Sequence, residues 1–211
     1  MNTNPTEFVQ LVDSSMLIMM GISTVFFLGI MGVMIYFVFK YHRKKGNKPV
    51  DIHGSIALEI TWFVIPLILV MGMFFESSDT YKIFKTTPEN AFEVDVTARM
   101  WDWDFNYKNG MKTDTLYVEV GIPVKLNLTS VDVNHSFYVP AFRIKQDVVD
   151  GSIAPLNFTP TKVGSYNVAC AEYCGLNHSQ MYTKVVVMAS DEFKNWYGSN
   201  SSETTKANIV E

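Results

Sequence analysis

The run Ser14-Ser-Met-Leu-Ile-Met-Met-Gly-Ile-Ser-Thr-Val-Phe-Phe-Leu-Gly-Ile-Met-Gly-Val-Met-Ile-Tyr-Phe-Val-Phe39 holds 26 residues without a charge. As a helix rising 1.5 Å per residue, it is long enough to cross a hydrocarbon core of ~30 Å. A second stretch, Ile60 to Phe75, adds 16 uncharged residues, and it reaches 20 from Ile56 if Glu59 is tolerated near one end. Between the two lies Lys40-Tyr-His-Arg43-Lys44-Lys45-Gly-Asn-Lys48, with five basic residues and no acidic one. The bias of short basic loops toward the cytoplasm puts this loop inside and both termini outside. A signal peptide is the competing reading of the first run, but the residues before it carry Glu7 and Asp13 and no Lys or Arg. The expectation is an external segment over 1–13 and a transmembrane hairpin over 14–77, with helices at about 14–40 and 56–76 and a cytoplasmic loop over 41–55.

After Glu76 the period changes from helical to alternating. Phe92-Glu-Val-Asp-Val-Thr-Ala-Arg99 and Val124-Lys-Leu-Asn-Leu-Thr129 alternate apolar and polar residues, as half-buried strands do. Leu116 to Val120, Ser165 to Ala169 and Thr183 to Met188 read as further short strands. One helix follows near Ser190 to Tyr197, with Ser190 as its cap and Asp191 and Glu192 in its first turn. Short strands separated by Gly and Pro turns predict an all-β sandwich or barrel over 78–197, followed by a polar C-terminal tail over 198–211.

The composition narrows the classes of function. With 48% hydrophobic and 18% charged residues, the chain is neither disordered nor collagen-like, and two cysteines make no disulfide framework. A net charge of −4 argues against a nucleic-acid partner, which would need a basic surface. No Cys-x-x-Cys-His occurs, so covalently attached c-type haem is not expected on this chain.

The chemistry is concentrated in Cys170-Ala-Glu172-Tyr-Cys174-Gly-Leu-Asn-His178-Ser-Gln-Met181, with His135 upstream in Asp132-Val-Asn-His135-Ser. Thiolate and thioether donors suit copper, and imidazole suits copper or zinc. Cys174, His178, Met181 and His135 match the donors of a mononuclear blue-copper site, which leaves Cys170 without a role. Two thiolates bridging two coppers, each with one terminal His, would use both cysteines. Met181 and a backbone carbonyl such as that of Glu172 would then be weak ligands. A Cys₂His₂ zinc site and a Cys170–Cys174 disulfide are the other readings, and spacing alone leaves all four open.

The run Val133-Asn-His135-Ser-Phe-Tyr-Val-Pro140-Ala-Phe-Arg-Ile-Lys145-Gln-Asp147 and the cysteine motif together resemble subunit II of the cytochrome c oxidases of the haem–copper family. The resemblance extends over nearly the whole chain: the hairpin, an aromatic Trp101-Asp-Trp103 segment and a β domain. It implies a two-helix hairpin followed by an all-β cupredoxin-like sandwich carrying dinuclear copper, the CuA centre. The implied ligands are His135, Cys170, the backbone carbonyl of Glu172, Cys174, His178 and Met181. The resemblance also implies a magnesium ion, shared with subunit I, at the Glu172 side chain. The copper ligands point to a cytochrome c donor rather than quinol. The implied partners are oxidase subunits I and III, a cytochrome c or c-type cytochrome subunit, and membrane lipid. The implied place is a bacterial-type inner membrane, with the N-terminus and copper domain on the periplasmic side. Electrons would pass to haem in subunit I, where oxygen is reduced to water with proton translocation. The electron-accepting subunit of another respiratory complex, such as a nitric oxide reductase, is an alternative, as is a membrane-tethered copper or zinc module. One departure is Asp150-Gly151, where the family commonly has Pro-Gly.

Two further residues carry expectations. By resemblance, Trp101 lies at the surface above the copper and receives the electron, while simple packing with Trp103 is the competing reading. By resemblance again, Glu59, ahead of Trp62, stands at the mouth of a proton-uptake channel in subunit I. A carboxylate snorkelling to the interface is its plainer explanation. From Asp79 onward there are 16 acidic and 12 basic residues. With Asp102, Asp104 and Asp132 near the site, an acidic face that steers a basic cytochrome and an ordinary solvated face are both open readings.

Overall fold

The computed structural model describes residues 4–43, 46, 48, 51 and 53–207, the side chains of 200–207 excepted. Lys44 and Lys45 of the basic loop, the first three residues and the last four lie outside the described residues. The chain forms two compact units, residues 13–81 and residues 1–12 with 82–211.

The first unit consists of most of α1 (Phe8–Lys40) and α2 (Ile56–Lys85), both long and apolar enough to cross a membrane. In the most apolar window of each, no residue is buried within the protein, so these side chains face outward, as lipid-facing residues do. Both helices outrun the apolar stretches that announced them. Ser77 to Lys85 has neither Gly nor Pro, and nothing stops α2 until the segment before Pro88. Inside this unit Ser15 Oγ donates to Glu76 Oε1 at 2.8 Å, so the carboxylate is hydrogen-bonded.

The second unit is a sandwich. One sheet has strand order β3-β2-β1-β5-β8: Lys112–Thr113, Asp102–Tyr107, Phe92–Arg99, Val124–Ser130 and Ala154–Phe158. The other has order β4-β10-β9-β6-β7: Leu116–Glu119, Tyr182–Met188, Gly164–Cys170, His135–Val139 and Ile144–Val148. β1 pairs parallel with β5, and β10 with β4; the other pairings are antiparallel. Alternation works as expected in β5, where Val124, Leu126 and Leu128 are fully buried while Lys125 and Asn127 face outward. The two inner faces meet in one core, where Phe137 packs edge-on against Trp103, with ring centroids 5.2 Å apart. This is the two-sheet, cupredoxin-like arrangement expected from the sequence.

The N-terminal residues join this same unit. Thr6 pairs with Pro160, Thr161 N–H donates to Pro5 C=O at 2.9 Å, and buried Phe8 lies against Phe84 with centroids 4.1 Å apart.

The last helix, α3 (Ser190–Ala207), carries on beyond Tyr197 into the expected polar tail. Its first intrahelical bond runs from Phe193 N–H to Ala189 C=O, so Ala189, not Ser190, stands at the cap position. Phe193, Trp196 and Tyr197 anchor the helix on Phe92, Tyr107 and Tyr117. The turn at Asp150-Gly151 forms without the usual Pro. Ser152 N–H reaches Val149 C=O at 3.3 Å, and Gly151 supplies the positive φ of +73° at the third position.

Candidate metal centre

The site is built on two adjacent strands and one loop. His135 opens β6, Cys170 closes β9, and the strands pair antiparallel with Phe137 opposite Cys170. The loop from Ala171 to Met181 returns to its own start. Cys170 N–H donates to Met181 C=O at 3.1 Å, and Ala171 N–H to Ser136 C=O at 3.0 Å. The loop therefore closes Cys174, His178 and Met181 back over Cys170.

The donor atoms fall in a definite order. His135 Nδ1 lies 3.9 Å from Cys170 Sγ, the two sulfurs are 3.7 Å apart, and His178 Nδ1 lies 3.5 Å from Cys174 Sγ. Glu172 C=O is 3.2 Å from Cys170 Sγ, and Met181 Sδ is 3.7 Å from Cys174 Sγ. The result is two sulfurs in the middle, a nitrogen at each end and one weak donor beside each sulfur. The sulfurs are too far apart for a disulfide bond of about 2.05 Å, and both cysteines are free. An ion with metal–sulfur bonds of about 2.3 Å touches both at this spacing.

His135, Cys170 and Cys174 hold donor atoms all within 4.8 Å of one another, and His178 is not in that set. Three donors this close can hold a metal ion, and His178 adjoins them through Cys174.

Burial is nearly complete on the sulfur side. His135 and Met181 are wholly buried, as is most of Cys174, whereas Glu172 is exposed. Burial, reinforced by the neighbouring Cys170, pushes the Cys174 thiol up to about 12. A metal that binds Cys174 as a thiolate must therefore displace its proton.

Trp101 is half-buried, and its indole N–H donates to Cys174 C=O at 3.1 Å. Its ring covers Gly175, where an added Cβ would lie 3.3 Å from the indole and φ is +111°. Trp103, two residues on, is fully buried, with its ring centroid 6.1 Å from that of His135. The two tryptophans thus differ in setting: one is core, the other borders the site.

Of the three acids expected to form a steering face, only Asp102 is exposed. Asp104 is buried and paired with Arg99 at 3.0 Å and Lys112 at 3.1 Å. Asp132 is engaged with His135 at 2.8 Å, a partnership that the spacing Asp132-x-x-His135 did not by itself declare. Glu59 sits in the first turn of α2, exposed, with its N–H bonded to Ser55 C=O at 3.0 Å.

Comparison with known proteins agrees over almost the whole length. The family model described as cytochrome c oxidase subunit II, transmembrane domain, matches residues 4–78, and that for the periplasmic domain of the same subunit matches 109–190. The cytochrome c oxidase subunit 2 of Thermostichus vulcanus is 30% identical, over 95% of this chain and 78% of its own. The alternative cytochrome c oxidase subunit 2 of Bradyrhizobium diazoefficiens is also 30% identical, over 88% and 78%. Among solved structures, the periplasmic domain of subunit II of cytochrome oxidase from Bradyrhizobium japonicum superposes with a TM-score of 0.52 at 24% identity. It covers 56% of this chain and 99% of that one, a likeness of fold.

Proposed function

Because this chain belongs to the cytochrome c oxidase subunit II family, we propose that it is the electron-accepting subunit of its oxidase. It takes electrons one at a time from a c-type cytochrome and hands them to haem in subunit I, where oxygen is reduced to water and protons are translocated. The observation that carries this reading is the order of donors, nitrogen–sulfur–sulfur–nitrogen, along His135, Cys170, Cys174 and His178. Copper held by these residues would supply one-electron transfer.

The chain's own residues do the rest. His135, Cys170, Cys174 and His178 would hold the metals, with Met181 Sδ and the Glu172 carbonyl as weak ligands. The sheet pairing of β6 with β9 and the closed loop hold these donors together. Burial excludes water from the sulfurs. Trp101, hydrogen-bonded to the backbone of Cys174, is the contact through which the donor cytochrome reaches the centre. The exposed Glu172 carboxylate takes the magnesium ion at the boundary with subunit I.

Glu59 feeds protons toward subunit I from the cytoplasmic side. Its place in the first turn of α2, beside the basic loop, supports that role. The hairpin sits in a bacterial-type inner membrane with the β domain and N-terminus on the periplasmic side, and subunits I and III pack around it. Replacing Trp101 tests the reading. Trp101→Phe should keep copper content and slow electron uptake from cytochrome c, and unchanged uptake would refute the role.

A further inference from the structure

Asp132 joins two parts of the site. Its Oδ1 accepts from His135 Nε2 at 2.8 Å and from Val133 N–H at 2.6 Å, and its Oδ2 accepts from Met100 N–H at 2.7 Å. A carboxylate only accepts hydrogen bonds. The proton of the neutral His135 ring is therefore on Nε2, and Nδ1, which faces Cys170 Sγ at 3.9 Å, is left with its lone pair. The other end of the same carboxylate grips the residue before Trp101. The Met100–Trp101 segment is thus tied to the donor set twice, to His135 through Asp132 and to Cys174 through the indole.

We infer that Asp132 is a positioning residue that fixes the tautomer of His135, sets the reduction potential of the centre and holds Met100–Trp101 against it. The potential part rests on the copper reading above; the tautomer and the placement of Trp101 do not. A negative carboxylate hydrogen-bonded to a ligand imidazole favours the more positive, oxidised centre. Replacing it with a neutral amide raises the potential.

The test uses the full-length chain in detergent. Nitrogen-15 spectra of the metal-free wild type should show His135 protonated at Nε2; protonation at Nδ1 overturns the inference without any variant. Copper-loaded Asp132→Asn and Asp132→Ala should bind as much metal as wild type, with a higher reduction potential and altered copper hyperfine coupling. The Trp101 indole N–H should exchange with solvent roughly tenfold faster, as expected for loss of one tether worth about 1.4 kcal/mol. A potential equal to wild type in loaded Asp132→Asn, or unchanged exchange at Trp101, overturns the inference. A wild-type chain that fails to load two coppers refutes the function proposed above instead, and the tautomer and exchange results still decide the role of Asp132.

Discussion

The indole N–H of Trp101 donates to the carbonyl oxygen of Cys174 at 3.1 Å, so a half-exposed ring stands one hydrogen bond from the backbone of a proposed copper ligand. If electrons arrive through this ring, Trp101→Phe should lower the rate of cytochrome c oxidation by at least roughly tenfold, a barrier change of about 1.4 kcal/mol. The copper spectrum should not change. Stopped-flow reduction by cytochrome c reads the first quantity and optical absorption the second. Loss of both would make Trp101 merely structural.

Gly175 lies beneath that ring with φ of +111°, and a Cβ there would sit 3.3 Å from the indole. Gly175→Ala should therefore cost about 1–3 kcal/mol in stability through backbone strain and displace Trp101. Thermal unfolding and tryptophan fluorescence measure the two effects. An alanine variant as stable as wild type would contradict the contact.

Cys174 keeps its proton to about 12 in the metal-free fold because it is buried beside Cys170, while an exposed thiol releases its proton near 8.5. Since the folded value is the higher, its contribution to the metal-free fold is complete below the unfolded value. That contribution is lost as pH rises from there toward 12. Copper must displace the Cys174 proton, so its apparent affinity should rise with pH, by roughly tenfold per pH unit for that one proton. Competition titrations at pH 6 and 7 check this, and an affinity independent of pH would exclude thiolate ligation.

The sequence made the hairpin legible because lipid demands long uncharged runs, and Ser14 to Phe39 offers nothing else. Strands β1, β4, β5, β9 and β10 were legible because each has one face in the core and one toward solvent. Strand β6 was not, since His135, Ser136 and Phe137 are all buried in succession and β6 lies between β7 and β9. Its polar residues are inside because they serve the site: His135 faces Cys170, and Ser136 donates to Asp147 at 2.8 Å. The same holds in β2, where Asp104 reads as a surface acid but is buried between Arg99 and Lys112. The donors themselves were legible as a motif. Their pairwise order, and the binding of Asp132 to both His135 and Met100, depend on strand pairing across 35 residues and had no local signal.

Glu59 lies exposed in the first turn of α2. Glu59→Gln in the assembled oxidase should slow turnover coupled to proton uptake and leave the copper spectrum as in wild type. Oxygen consumption under steady state reads this. Normal turnover would remove Glu59 from the proton path.

Two copper ions held in common by Cys170 and Cys174 can be detected by loading the full-length chain in detergent with copper, counting metal per chain and recording the electron paramagnetic resonance spectrum. Two coppers sharing one unpaired electron, with hyperfine structure from both nuclei, are expected. One copper with a localised spin, or zinc alone, would contradict that expectation.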